Sequence, residues 1–254
     1  MDDGHGRLQG RVVLLTGANG GLGATVAQRL AREGAHVVVT DLREDACRDQ
    51  AASLERPHDH MGAGLDVTAE QDWNAVCEQV LGRFGKIDAL LNNAALGSVG
   101  AVDAETVHKW NRVIDVGQTG TFLGMKCVGP VMERNGGGSI VNVCSILGTV
   151  GGFGNSIAYA AAKGAVRTMT KNAALHWAGA AVRVNSLHPG FIGTEALHEH
   201  WEGTEQYKAM LDKTPMGRLG TAEEVAGAIV FLIGDDSTFV TGSELYVDGG
   251  WTAA

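Results

Sequence analysis

Residues 11–23 read RVVLLTGANGGLG, an apolar run that ends in four closely spaced glycines. The run RVVLLT has the length of a strand and is almost continuously apolar, which is typical of a parallel strand covered on both faces. Gly17, Gly21 and Gly23 allow the backbone to turn tightly into a helix that we predict near 21–33. The free N–H groups and the positive dipole end of such a helix attract phosphate. The stretch therefore predicts a strand, a phosphate-binding turn and a helix.

The alternation of strand and helix continues along all 254 residues. Apolar runs of strand length stand at 11–16, 36–40, 60–65, 88–92, 139–143, 182–187 and 244–247. Between them we predict helices near 21–33, 44–54, 69–84, 105–134, 156–178 and 222–233. Repeated units of this kind indicate an α/β fold, with a doubly wound parallel sheet of about seven strands and helices on both faces.

The chain shows no internal repeat and no linker, so we predict a single domain over 1–254. The longest departure from the strand–helix rhythm is 190–220. A connection of that length is uncommon unless it is functional. We therefore expect a lid or substrate loop there.

Composition argues against several classes of partner. The formal net charge is −9 and the pI is near 5.4, whereas binding to nucleic acid requires a basic face. No apolar run is long enough to span a membrane, and the N-terminal residues lack the apolar core of a signal peptide. The four cysteines are far apart, which indicates reduced thiols and no metal site. We expect a cytoplasmic protein that binds neither nucleic acid, membrane nor metal.

The second predicted strand ends at Asp41, eighteen residues beyond Gly23. A carboxylate in that place can accept hydrogen bonds from both ribose hydroxyls of an adenosine and would repel a 2′-phosphate. Asp41 therefore favours NAD over NADP. An aspartate that caps the next helix is the alternative, and Arg43 is the nearby group that could instead favour a phosphate.

Tyr159 and Lys163 stand four residues apart in NSIAYAAAKGAV, residues 155–166. Alanine favours helix most strongly, and positions i and i+4 lie on the same helical face. The phenol and the ammonium should therefore point the same way. Taken alone, the pair is also what an ordinary surface helix would show.

Several pieces in this order resemble the short-chain dehydrogenase/reductase family over nearly the whole chain: TGANGGLG at 16–23, Asp41, Asp66, NNAA at 92–95, Ser145, YAAAK at 159–163 and HPG at 188–190. The segments TPMGRLG and TGSELYVDGGWTAA resemble bacterial hydroxysteroid and cyclic-alcohol dehydrogenases. The resemblance implies a Rossmann-type domain that binds NAD. It also implies a homotetramer in which the helices near 105–134 and 156–178 pack against a second subunit.

The resemblance also implies roles for individual residues. Tyr159 would be the acid/base, and Lys163 together with the positive nicotinamide of NAD⁺ would lower the phenol pKa. Lys163 would also bind the nicotinamide ribose. Ser145 would hold the substrate oxygen; Ser156 is a weaker candidate for that role, and we interpret it as a helix N-cap. A free phenol has a pKa of about 10, too high for acid/base work near neutral pH. Cofactor contacts carried over from the family are Gly17, Asn19, Gly21, Leu22, Gly23, Asp41, Leu42, Asp66, Val67, Asn93, Ala94, Tyr159, Lys163, Pro189, Ile192 and Thr194. His188 in HPG is assigned no chemistry.

We expect an apolar substrate pocket suited to a secondary alcohol or ketone, cyclic or steroid-like, that is interconverted by hydride transfer with NAD(H). Its candidate residues are Leu96, Ile146, Val150, Phe153, Phe191, Leu197 and Trp201. One alternative is a 3-oxoacyl reductase acting on acyl carrier protein. Such enzymes mostly use NADPH and present basic residues, so Asp41 and the net charge argue against it.

Two departures from the family pattern are visible. In DVGQTGTF, residues 115–122, Gly117 replaces the asparagine of the family's catalytic tetrad. That replacement leaves open a second alternative, a weakly catalytic protein that acts by NAD-dependent interaction. We expect a water bonded to the backbone to take the place of the asparagine side chain. The second departure is that Ser145 stands 14 residues before Tyr159, one more than in many relatives.

Overall fold

The computed structural model describes residues 6–254. Its centre is a sheet of seven parallel strands: β1 (Val12–Thr16), β2 (His36–Asp41), β3 (Met61–Gly64), β4 (Ala89–Asn92), β5 (Gly138–Val143), β6 (Val182–Pro189) and β7 (Glu244–Val247). Their order is β3-β2-β1-β4-β5-β6-β7. The direction of winding reverses between β1 and β4. Ligands of open α/β sheets bind at the carboxyl ends of the strands on either side of such a reversal.

Helices cover both faces of this sheet: α1 (Gly21–Arg32), α2 (Glu44–Ser53), α3 (Glu70–Phe84), α4 (Val107–Ile114), α5 (Gly120–Arg134), α6 (Ile157–Trp177), α7 (Glu195–Trp201), α8 (Glu205–Asp212) and α9 (Ala222–Ile233). Successive side chains of a strand point to opposite faces. In β1, Val13 and Leu15 join the core with α1 and α9, whereas Val12 and Leu14 join the core with α3 and α5. The predicted fold class is confirmed.

The helix predicted over 105–134 is in fact two helices. A π-helical turn over Asp115–Thr119 separates α4 from α5. Such turns contain one extra residue, and they are frequent at functional sites. Gly117 is buried in the middle of this turn.

The segment 190–220 is not an open loop, because it contains α7 and α8. Thr194 and Thr204 begin these helices, and their hydroxyls accept hydrogen bonds from the Leu197 and Tyr207 N–H groups. Threonine is a favoured residue at this position because it satisfies an otherwise unpaired donor. The segment carries its own helical structure and lies beside the carboxyl end of β6.

Strand β6 runs further than the apolar pattern indicates. His188 and Pro189 belong to the strand and lie opposite Tyr246 and Val247 of β7. The HPG stretch is therefore the end of a buried strand, with only Gly190 leaving it.

In residues 6–254, no helix is both long enough and apolar enough to cross a membrane. The same part of the chain holds no group of three His, Cys, Asp or Glu side chains arranged for a metal ion. All four cysteines are free thiols. Burial raises the pKa of each of them, so none is ionised at neutral pH.

Candidate active site

A cleft of about 1520 Å³ lies along the carboxyl ends of β1 to β4 and continues between α4, α6 and α7. Most of the predicted site residues line it: Gly17, Gly21, Leu22, Gly23, Asp41, Leu42, Asp66, Val67, Asn93, Ala94, Leu96, Tyr159, Phe191, Thr194, Leu197 and Trp201. A single cleft thus joins the glycine-rich turn, Tyr159 and the segment 190–220.

The glycine-rich turn is held against the end of β4. Gly17 has a positive φ of 62°, and a Cβ there would lie 2.8 Å from the Cα of Ala94. The Asn93 side-chain amide donates to the carbonyls of Thr16 and Gly17, at 3.0 Å each. No side chain caps the start of α1, at Gly20. Its first N–H groups are therefore left for an anionic ligand.

Asp41 ends β2 at the wall of the cleft. Its Oδ2 accepts a hydrogen bond from the Asn19 N–H at 3.2 Å, and its Oδ1 accepts one from the Leu42 N–H at 2.8 Å. The carboxylate is thus fixed beside the glycine-rich turn and keeps further acceptor capacity. Arg43 is exposed and lies outside the cleft wall.

Asp66 follows β3 and takes a fixed position. Its Oδ1 accepts hydrogen bonds from the Thr68 N–H at 2.9 Å and from the Thr68 hydroxyl at 2.7 Å. Both Asp66 and the adjacent Val67 line the cleft.

Ser145 stands just after β5 and begins the short turn Ile146–Gly148. Its Oγ accepts a hydrogen bond from the Leu147 N–H at 3.1 Å. Because that bond uses a lone pair, the hydroxyl proton is left free to be donated. Tyr159, in the first turn of α6, lies beside this hydroxyl.

The buried position of Tyr159 changes its acidity. Burial raises the pKa of Tyr159 to about 12, although the neighbouring Ser145 hydroxyl works in the opposite direction. This value belongs to the chain without a cofactor, where burial disfavours the charged phenolate. The expected lowering of the pKa by Lys163 together with the nicotinamide charge of bound NAD⁺ stays a prediction.

Lys163 lies one turn further along α6 and is 2% exposed. Its Nζ donates to the Val143 carbonyl at 2.6 Å and lies 5.6 Å from the centre of the Tyr159 ring. Burial lowers the pKa of Lys163 to about 8. The ammonium form still predominates at neutral pH, and the helical spacing of the pair brings its charge close to the phenol.

Some predicted residues do not line the cleft. Ile146 is buried, because the turn after Ser145 directs its side chain inward. Phe153 packs against Phe191 and Trp251, with ring centres 5.7 and 5.6 Å apart. The others outside the wall are Val150, Asn19, Pro189, Ile192, Ser145 and Lys163, of which the last two lie directly behind Tyr159.

The cleft wall also contains residues that the sequence reasoning missed. Leu147 lines it where Ile146 was expected. On α4 and on the 190–220 side the wall carries polar as well as apolar side chains, and the expected apolar substrate pocket stays a prediction. The missed polar residues are Ser98, Lys109, Arg112, Asp115, Glu195, Glu199 and His200. No regular spacing connects them, and only the fold brings them to one surface.

Comparison with known proteins gives these features a context. Residues 17–252 match the model of a family described as Enoyl-(Acyl carrier protein) reductase. The trans-4-hydroxycyclohexanecarboxylate dehydrogenase of Sinomonas cyclohexanicum is 40% identical over 255 positions, which cover 97% of this chain and 95% of that protein. The chain belongs to the short-chain dehydrogenase/reductase family.

Two further relatives of this family extend the comparison. The 3-alpha-(or 20-beta)-hydroxysteroid dehydrogenase of Mycobacterium bovis is 36% identical over 248 positions, with 98% of this chain and 92% of that protein covered. The crystal structure of gox2181 has a TM-score of 0.94 and 29% identity, with 98% of each chain covered. The predicted resemblance to cyclic-alcohol and hydroxysteroid dehydrogenases is confirmed.

Short-chain dehydrogenases generally use NAD or NADP. The cleft fits such a dinucleotide. A Cβ at Gly17 would be too close to Ala94, so this turn keeps its backbone accessible at the uncapped start of α1. Asp41 stands at the tip of β2, where an adenosine ribose is bound in this fold.

The chain departs from the short-chain dehydrogenase pattern at Gly117. The Gly117 carbonyl accepts a hydrogen bond from the Thr121 hydroxyl at 2.8 Å. A Cβ at this position would lie 3.4 Å from the Cβ of Ala162, the residue before Lys163. Asparagine could therefore be accommodated here with a small shift of α6.

We expect Gly117→Asn to change kcat by less than about tenfold, or 1.4 kcal/mol of barrier. The Ser145, Tyr159 and Lys163 side chains are already assembled without an asparagine, and a water can bond to backbone carbonyls of the π-helical turn. Steady-state oxidation of an alcohol by both proteins measures the change, with Gly117→Ala as the matched control for added bulk. A gain of a hundredfold or more would show that proton relay is broken in the natural chain.

Proposed function

We propose that this protein interconverts a secondary alcohol and a ketone by hydride transfer with NAD(H), and that its substrate is a cyclic alcohol. The observation that carries the proposal is the group at the start of α6. There the Tyr159 phenol lines the cleft with the Ser145 hydroxyl beside it and the Lys163 ammonium one turn away. This group can hold a carbinol oxygen and exchange its proton.

Ser145, Tyr159 and Lys163 each have a separate role in the reaction. When bound, NAD⁺ accepts the hydride of the carbinol carbon. Ser145 donates a hydrogen bond from its hydroxyl to the substrate oxygen, because its one O–H proton is not used in the bond that Oγ accepts from the Leu147 N–H. Tyr159, as phenolate, removes the alcohol proton, and in the reverse direction the phenol returns it to the ketone oxygen. Lys163 supplies nearby positive charge that favours the phenolate.

Asp41 supports a preference for NAD. We expect kcat/KM to favour NAD over NADP by at least roughly tenfold, or about 1.4 kcal/mol, because a 2′-phosphate would meet the carboxylate. Initial rates with each cofactor measure this ratio. Asp41→Ala should reduce the ratio, whereas the matched control Arg43→Ala should leave it unchanged. Equal use of both cofactors by the natural protein would contradict the assignment.

The substrate class rests on the relatives, two of which are named for a hydroxycyclohexane and for hydroxysteroids. A panel of cyclic alcohols, acyclic alcohols and hydroxysteroids, followed by NADH absorbance, tests the proposal. Turnover of cyclic alcohols supports it. Selective reduction of 3-oxoacyl groups on acyl carrier protein would favour the alternative reductase. Tight NAD binding without turnover of any compound would favour an interaction protein.

We also propose that the protein is a cytoplasmic homotetramer. Large apolar side chains remain exposed on the helices that were expected to contact a second subunit: Val107 on α4, Phe122 on α5 and Leu175 on α6. Exposed apolar side chains of this size on neighbouring helices are typical of subunit interfaces. The four free cysteines suit a reducing compartment.

A further inference from the structure

His188 is a completely buried side chain of β6 that contacts the backbone of Ser145. Its Nδ1 lies 3.1 Å from the Ser145 carbonyl oxygen, and its Nε2 lies 2.9 Å from the Ser186 hydroxyl. A carbonyl oxygen can only accept, so Nδ1 carries the proton and Nε2 accepts from Ser186. The ring therefore fixes the peptide group that follows Ser145.

A second contact holds the other end of the same turn. The Tyr246 ring stacks on His188 with ring centres 4.6 Å apart. The Tyr246 hydroxyl lies 2.8 Å from the Thr149 Oγ1 and donates to a Glu244 carboxylate oxygen at 2.7 Å. The turn from Ser145 to Thr149 is thus attached to β6 at its beginning and to β7 at its end.

These strands are linked to the helix that carries the acid/base. Glu244 forms ion pairs with Arg167 at 2.8 Å and with Lys171 at 2.5 Å, both on α6. Tyr159 and Lys163 lie on the same helix, about one to three turns earlier. These contacts connect the turn that begins at Ser145, through β6 and β7, to the helix that carries Tyr159. They therefore fix the position of Ser145 relative to Tyr159.

Burial, helped by the neighbouring cations, keeps His188 neutral. Burial lowers the pKa of His188 most strongly, and the cations Arg167 and Lys163 lower it further. The hydrogen bond to Ser145 and the charge of Glu244 act in the opposite direction without reversing the shift. A neutral ring with a proton on Nδ1 is the form that the two hydrogen bonds require.

We propose that His188 is a positioning residue that aims the Ser145 hydroxyl at the substrate oxygen. This inference rests on the proposed alcohol–ketone chemistry. The Ser145 carbonyl is held by the His188 Nδ1–H and by the Gly148 N–H, at 3.1 and 3.0 Å. With that peptide group fixed and the Oγ bonded to the Leu147 N–H, the Ser145 oxygen is held in place and its proton remains available for donation to the substrate oxygen.

Two amide variants separate this role from simple packing. The side-chain amide of His188→Asn stands where Nδ1 stands and can still donate to Ser145, whereas that of His188→Gln reaches the position of Nε2 and Ser186. We expect His188→Gln to lower kcat by about tenfold or more and His188→Asn by less than about threefold, since misplacement of a catalytic group by about 1 Å costs roughly 100-fold. KM for NAD should stay the same in both variants.

Hydrogen exchange without substrate or cofactor gives an independent readout. The Leu147 and Gly148 amides, which bond to Ser145, should exchange faster in His188→Gln than in His188→Asn. Equal kcat values and equal exchange in the two variants, or losses that follow melting temperature alone, would overturn the inference. An inactive natural protein would refute the proposed function, and the exchange comparison would still decide the role of His188.

Discussion

Replacing Tyr159 by phenylalanine is expected to lower kcat for alcohol oxidation by about 1,000-fold or more, while NAD affinity changes by less than about threefold. The ring and its packing remain, but the group that exchanges the proton is lost, and general acid–base catalysis contributes roughly 10²–10⁴-fold. Steady-state kinetics and NAD titration by tryptophan fluorescence measure the two quantities.

Tyr207, on α8, offers a matched control for the Tyr159 experiment. Its hydroxyl lies 3.4 Å from the His198 Nδ1, away from the Ser145–Tyr159 pair. Tyr207→Phe makes the same chemical change and should leave kcat within about threefold. Most of kcat surviving in Tyr159→Phe would contradict the acid/base role.

The acidity of Tyr159 also sets the sign of the pH dependence in the natural protein. Burial raises the pKa of this phenol to about 12 in the chain alone, so the protonated form predominates at neutral pH. Oxidation needs the phenolate and should therefore speed up as pH rises toward this pKa, whereas ketone reduction needs the phenol and should slow down only as pH approaches the pKa. The residual activity of Tyr159→Phe should lack both trends.

Replacing Lys163 by alanine is expected to lower kcat by at least about 100-fold and to weaken NAD binding by roughly tenfold. Its ammonium is the positive charge beside Tyr159, and its proposed second role is to bind the nicotinamide ribose. Kinetics and the same NAD titration give both numbers. The control is Lys126→Ala on α5, which removes an exposed ion pair with Glu70 of α3. This variant should change neither kcat nor NAD affinity.

A loss in kcat alone, with NAD affinity kept, would contradict the double role of Lys163. Loss of NAD binding alone would contradict its effect on Tyr159. Melting temperatures of both lysine variants show whether removal of the buried side chain has instead unfolded part of α6.

The local signals of the sequence were sufficient for the framework of the site. The apolar run before Gly17 and the position of Asp41 predict the cofactor side, and Gly17 and Asp41 both line the cleft. The four-residue spacing of Tyr159 and Lys163 predicts their shared helical face, as α6 shows. Each of these features depends on residues close together in the chain, for which periodicity and turn chemistry are reliable guides.

Features that depend on tertiary packing could not be predicted in the same way. Hydrophobic periodicity does not predict the π-helical turn at Gly117. It also does not predict that Leu147, and not Ile146, lines the cleft. The bond between His188 and Ser145 joins residues 43 positions apart. The raised pKa of Tyr159 likewise follows from burial, which no short motif encodes.

The most direct test of the account uses cyclohexanol that carries deuterium at the carbinol carbon. The natural protein and NAD are incubated with it, and the NADH formed is analysed by mass spectrometry. We predict NADH that contains one deuterium, no label when deuterium is supplied only in the solvent, and almost no NADH with Tyr159→Phe. Alcohol oxidation that leaves the NADH unlabelled, or that proceeds equally well without Tyr159, would contradict hydride transfer at this site.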